Sequence, residues 1–216
     1  MVLMDIPVFW KDWQKKRMKN RFEVFIFNTD SQQHALKGER TLLKSAAACF
    51  GVSKEQLDRT AVLATPKGKP YFENIDTHFS ISHSGNLWAC LIGPTCCGLD
   101  VQYIKPCNFN NIAGRFFSQK EAEYVKQFGL EGFYDIWTRR EAYCKYTGEG
   151  FFGDIPELVD ERGLLNPALQ YGDRIVKFEE LEYRQDLKIT LCIDIKYNED
   201  VIIRRDWRYE DYIFIG

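Results

Sequence analysis

The chain lacks the features that would assign it quickly to several large classes. No apolar run approaches the ~20 residues needed to span a bilayer. Met1 to Phe9 is too short, and too soon followed by Lys11 and Asp12, to serve as a signal peptide. There is no low-complexity tract and no short repeat, which sets aside solenoids and disordered linkers. Charge is nearly balanced at −2, so nothing global pulls the chain toward nucleic acid or an anionic membrane. The 7 cysteines are odd in number, contain no CxxC pair and mostly lie in apolar runs, as expected of free thiols in a reducing cytoplasm. His34, His78 and His83 have no HExxH or His-x-His neighbour, and Cys96-Cys97 lacks zinc-ligand spacing, so zinc hydrolase chemistry has no donor set.

What is present is an ordinary globular composition, 45% hydrophobic and 28% charged over 216 residues, enough for one large domain or two half-domains. Phe22 to Phe27 reads as a strand ending at Asn28-Thr29-Asp30, and Gln33 to Phe50 as a helix stopped by Gly51. Ser53-Lys54-Glu55-Gln56 opens a short helix with a capping box. Thr65 to Pro70 is a turn-rich loop. Asn86 to Ile92 and Cys97 to Ile104 read as strands broken at Gly93-Pro94, and their proximity predicts an antiparallel pair. Lys105-Pro106 marks a boundary, because proline forbids continuation and an Asn-rich loop follows. Beyond it, Ser118 caps one helix and Gly132 precedes another that runs to about Thr147, closed by Gly148 and Gly150. Arg174 to Phe178 and Leu187 to Ile195 read as strands. Strands and helices mix in both parts, 1–105 and 106–216, which predicts an α+β fold in which each half has room for one helix-plus-antiparallel-sheet unit.

Chemistry concentrates in a few places. Asp100 ends the apolar run Cys97-Gly98-Leu99, where a carboxylate is costly to bury without a cationic partner; a strand-end cap and a metal ligand both satisfy that demand. Trp137, Glu141 and Lys145 are four apart and share one helix face, as an exposed Glu-Lys pair or as an acid and a base in a site. In Phe79-Ser80-Ile81-Ser82-His83-Ser84-Gly85, Ser82 and His83 are structural residues or donors to phosphate oxygens. They cannot form a nucleophilic dyad, since neighbours on an extended chain point to opposite faces. Lys67 and Lys69 flank Gly68 in a loop suited to solvent or to a phosphate, and Lys15 to Arg21 forms a solvated basic face, a nucleotide phosphate site or a site for an acidic partner.

Taken in order, Gly68-Lys69-Pro70, the Ile81-Ser82-His83-Ser84-Gly85 element, Gly98-Leu99-Asp100-Val101 and Trp137-Thr138-Arg139-Arg140-Glu141-Ala142-Tyr143-Cys144-Lys145 resemble the 4′-phosphopantetheinyl transferases. The length resembles the larger, pseudo-dimeric, surfactin-synthetase-activating type. That resemblance implies pseudo-twofold halves and transfer of the phosphopantetheine arm of coenzyme A to a serine of an acyl, peptidyl or aryl carrier protein. It further implies Mg²⁺ held by Asp100 and Glu141 with Gln102 beside them, Glu141 or a metal-bound water as base, and Lys145 as stabiliser of pyrophosphate charge. Lys69, Ser82, His83 and Arg40 would bind coenzyme A phosphates, in a cytoplasmic monomer. The sequence departs from the family's usual pattern at Gln102, where a third acid is common, and at Arg140, where lysine precedes the glutamate. Phe109, Ile112, Arg115, Phe116 and Phe117 are the expected carrier-docking anchors, or else core residues of the second half. A non-catalytic carrier-binding or coenzyme A-binding module and a metal-dependent phosphohydrolase are the rival readings.

Overall fold

A computed structural model describes residues 21–28, 38–150, 153–196 and 201–204 of the chain. Two four-stranded sheets carry the architecture. The first has the order β10-β1-β5-β4, formed by β1 (Phe22–Asn28), β4 (His78–Ser84), β5 (Leu87–Gly93) and β10 (Val201–Arg204). The second has the order β6-β9-β8-β7, formed by β6 (Cys97–Tyr103), β7 (Ala168–Tyr171), β8 (Arg174–Glu180) and β9 (Leu187–Asp194). A small hairpin joins β2 (Val62–Ala64) and β3 (Pro70–Phe72). Among the described residues every strand pair is antiparallel except β1 with β10.

Burial explains the layering. Each residue of β5 is buried, so both faces of this central strand must be covered. Phe25, Phe27, Trp88, Cys90 and Ile92 pack under α1 (Gly38–Phe50) through Leu42, Leu43, Ala46, Ala47 and Phe50. The opposite residues, Val24, Ile26, Ala89 and Leu91, meet Leu99, Val101, Ile189, Leu191 and Ile193 of the second sheet. The far face of the second sheet, with Val176, Phe178 and Cys192, receives Phe133, Ile136, Ala142, Tyr143 and Tyr146 of α4 (Gln119–Thr147). The expected α+β architecture, antiparallel sheets with a long helix, is therefore present. Of the remaining helices, α2 (Lys54–Arg59) carries the expected Ser53–Gln56 capping box. The Ser118 and Gly132 segments join as one helical run with a kink at Gly129, whose φ of 64° favours glycine.

The expected antiparallel pair between the strands at 86–92 and 97–104 does not form. Instead the segment 79–84 is itself part of β4, and a tight Gly85-Asn86 turn hands it directly to β5. With β1 on its other side, β5 has no free edge, and β6 crosses to pair with β9. The exchange of sheets falls between Gly93 and Cys97, ahead of Lys105-Pro106, and β10 returns to the first sheet.

Beyond its face-to-face contact, the structure joins the two sheets edge to edge. The Ser80 Oγ accepts from the Leu99 N–H at 3.0 Å, Ser82 Oγ from Val101 N–H at 3.1 Å and Ser84 Oγ from Tyr103 N–H at 3.0 Å. Alternate side chains of β4 thus stand in for the carbonyls of a neighbouring strand, satisfying amides that burial would otherwise orphan.

Candidate active site

The seam delivers the first acid. On β6, Leu99 and Val101 point into the layer between the sheets, so Gly98, Asp100 and Gln102 face α4. The face is close-packed: a Cβ added at Gly98 would lie 1.9 Å from the Ala142 carbonyl oxygen. Only glycine admits the helix at this distance, and that approach seats the following turn of α4 over Asp100.

Asp100 has an almost completely buried side chain and a full set of donors. Lys145 Nζ lies 2.7 Å from its Oδ1, Ser82 Oγ donates to the same oxygen at 2.8 Å, and Gln102 Nε2 reaches Oδ2 at 3.2 Å. Lys145 also donates to Ser82 Oγ at 2.9 Å, so serine, lysine and aspartate form one closed network. One turn back on the same helix face stands Glu141, half-buried, with no hydrogen bond or ion pair to any described residue. Burial and the negative charge of Asp100 push its carboxyl above the ordinary glutamate range, against the opposing pull of Lys145.

A cleft of about 250 Å³ opens over this face. Its walls include Lys67, Gly68 and Lys69 from the loop ahead of β3, Pro70 at the start of β3, Ser80 and Ile81 of β4, and Glu141, Cys144 and Lys145 of α4. Lys69 braces the loop against the end of α4: its Nζ donates to the Tyr146 carbonyl at 2.6 Å and to the Cys97 carbonyl at 3.4 Å. A cation at the C-terminal carbonyls of a helix is favoured by the helix dipole. Lys67 pairs with Glu149 at 3.5 Å across the mouth.

Asp100, Glu141, Lys145, Gln102 and Ser82 thus converge, and Lys69 borders the same cleft. His83 does not join them; it is exposed on the opposite side of β4 from Ser82. Ser82 is buried, with its hydroxyl engaged in the internal network. Arg40 lies in α1 with its side chain outside the described residues, as does the basic stretch 11–20. Arg140 pairs with the fully buried Glu121 at 2.6 Å, bracing the two parts of α4 across the Gly129 kink, and Arg139 pairs with Glu180 of β8 at 2.9 Å, tying α4 to the second sheet. Ser80 and Ser84 were not candidates in the sequence, yet they build the seam that places Asp100. Their signal is the alternation Ser80, Ser82, Ser84, three hydroxyls on one strand face.

Within this α+β fold, a carboxylate without a partner among the described residues stands beside a lysine-bound aspartate and under a glycine-lysine loop, a donor set suited to a polyphosphate ligand. Residues 96–192 match the family model of the 4′-phosphopantetheinyl transferase superfamily. A 4′-phosphopantetheinyl transferase of Bacillus subtilis is 29% identical over 188 residues, covering 83% of this chain and 80% of that protein. The transferase psf-1 of Bacillus pumilus is 35% identical over 144 residues, 64% of this chain and 58% of the relative. A putative 4′-phosphopantetheinyl transferase of Synechocystis is 33% identical over 112 residues, 46% and 44% of the two chains. The chain thus spans most of the first relative and about half the length of the other two. Over these spans the chain is similar to the 4′-phosphopantetheinyl transferase superfamily.

Proposed function

We propose that this protein transfers the 4′-phosphopantetheine arm of coenzyme A to a serine hydroxyl of an apo-carrier protein and releases adenosine 3′,5′-bisphosphate. The observation that carries this reading is Glu141, a half-buried carboxylate without a partner among the described residues, held one helical turn from the Lys145–Asp100 pair on the wall of the cleft. Its raised proton affinity suits a base that must take the proton of an incoming hydroxyl. The Lys145 ammonium, a quarter exposed at the cleft wall, is placed to meet phosphate charge. The carrier serine attacks the phosphorus that bears the pantetheine arm, and the bond to the bridging oxygen of the pyrophosphate breaks. The departing bisphosphate takes the electron pair, and the serine proton goes to Glu141.

The donor set fits a divalent cation. Glu141 has no partner among the described residues, its ionisation is opposed by Asp100, and both groups are oxygen ligands of the kind Mg²⁺ takes together with waters and phosphate. Asp100 and Glu141 would hold the ion. Gln102, now donating to Asp100 Oδ2, offers its carbonyl oxygen as a weaker third ligand. When bound, Mg²⁺ supplies charge neutralisation on the pyrophosphate. Lys69 would anchor the loop against coenzyme A phosphates, with His83 and Arg40 as outer contacts, while Ser82 acts from beneath by fixing Lys145 and Asp100. Residues 109–117 would offer the carrier an exposed Arg115 over the Phe116 ring, since Phe109, Ile112 and Phe117 pack against the core. The enzyme would act as a cytoplasmic monomer whose two halves are pseudo-twofold related.

The test is product release with coenzyme A, Mg²⁺ and an apo-carrier protein, followed by chromatography of nucleotides. Adenosine 3′,5′-bisphosphate should form only when the carrier is present. Release without a carrier would identify a hydrolase, and no release with carriers of several classes would identify a binding module.

A further inference from the structure

Cys96 and Cys97 are adjacent in sequence and opposite in environment. Cys97 points into the layer between the sheets, where burial pushes its thiol up to about 12. Cys96, just ahead of β6, is partly exposed, and its Sγ lies 3.8 Å from Nδ1 of His78, the first residue of β4. That distance is within reach of a sulfur hydrogen bond. The contact with His78 draws the thiol below its ordinary value; burial opposes the shift, while the charges of Lys69, His78 and Arg174 add to it. Four segments therefore converge on one sulfur: the Lys69 loop, the start of β4, the start of β6 and the turn into β8 at the exposed Arg174. None of these contacts is needed by the proposed transfer reaction except Lys69, which borders the cleft.

We propose that Cys96 is a modification site that takes an anionic low-molecular-weight disulfide, with His78 as the base that activates it. The Cys96 proton passes to His78 Nδ1, and the thiolate attacks one sulfur of the disulfide. The S–S bond breaks, its other half leaves as a thiolate with the electron pair, and a mixed disulfide forms on Cys96. Lys69 and Arg174 favour a carboxylate-bearing disulfide over a cationic one. The adduct would sit beside the Cys97 carbonyl, one of the two acceptors that hold Lys69. Cys107 is the natural comparison, being exposed on the surface of the same chain.

The probe is oxidised glutathione at neutral pH, with modified cysteines quantified by peptide mass spectrometry over time. Cys96 should react before Cys107, and His78→Asn should slow the reaction of Cys96 while leaving that of Cys107 unchanged. In the wild-type protein, the reactivity of Cys96 should rise with pH at a lower midpoint than that of Cys107. Cystamine, the cationic disulfide, should react more slowly than oxidised glutathione at Cys96 alone. The proposal is overturned if Cys107 leads, if the two midpoints coincide, if cystamine is the faster reagent at Cys96, or if His78→Asn leaves the rate unchanged. The wild-type pH profile decides the matter even if the variant does not fold.

Discussion

Removing one hydroxyl from the seam should cost more stability than its size suggests. Ser82 Oγ accepts from the Val101 N–H and from Lys145, and donates to Asp100 Oδ1, all in a buried position. In Ser82→Ala the Val101 amide loses its partner beside an apolar layer, a penalty of about 1–3 kcal/mol. Asp100 keeps Lys145 and Gln102, so its loss is a single charge-assisted bond, about 1.5–3 kcal/mol when measured alone. The two terms share one network and do not add fully, giving about 2–4 kcal/mol for the variant. Ser84→Ala is the internal control. Among the described residues its hydroxyl meets only the Tyr103 N–H, in a part-buried position where water can substitute, so about 0.5–1.5 kcal/mol is expected. Urea unfolding followed by circular dichroism should show a lowered midpoint with an unchanged slope. A loss for Ser82→Ala below that of Ser84→Ala would refute the view that these hydroxyls substitute for backbone acceptors.

Three further substitutions have defined outcomes. Gly98→Ala drives a methyl group into the Ala142 carbonyl, so the protein should lose about 3 kcal/mol or more, or fail to fold, as read by urea midpoint or soluble yield. Glu141→Gln should reduce transfer by about 10²–10⁴-fold, the usual contribution of a base. Because the Glu141 carboxyl is raised in the fold, its ionisation destabilises the protein as pH rises through that value, so in metal-free buffer at neutral pH the glutamine variant should melt higher than wild type. Glu180 has the opposite sign: burial raises its carboxyl, but Lys188 and Arg139 outweigh it and hold it below the ordinary value of 4.5. Its contribution is complete above that pH and lost on acidification, so Glu180→Gln should flatten the acid limb of a melting-temperature profile.

Much of the site is visible in the one-dimensional pattern. The four-residue spacing of Trp137, Glu141 and Lys145 fixes a shared face, and Ser118 with Glu121 and the αL Gly148 close α4 at both ends. Local signals of this kind survive because helix geometry alone enforces them. What escapes is long-range. The partner of β6 is β9, separated from it by α3 (Phe109–Phe116), α4 and a further hairpin, and no local rule favours β9 over the neighbouring β5. The hairpin β2–β3 is too short to show periodicity. No local pattern shows that Arg140 is taken up by Glu121, on an earlier turn beyond the Gly129 kink. Ser82 reads as a phosphate donor because its spacing identifies the strand face, not what lies across from it.

The central claim is a covalent transfer. Intact-mass spectrometry of an apo-carrier protein, incubated with this enzyme, coenzyme A and Mg²⁺, measures it without intermediaries. The account predicts a single mass increment of one phosphopantetheine, absent when the carrier serine is alanine and lost with Glu141→Gln. An unmodified carrier in every class tried, or an increment that persists in the serine-free carrier, would contradict it.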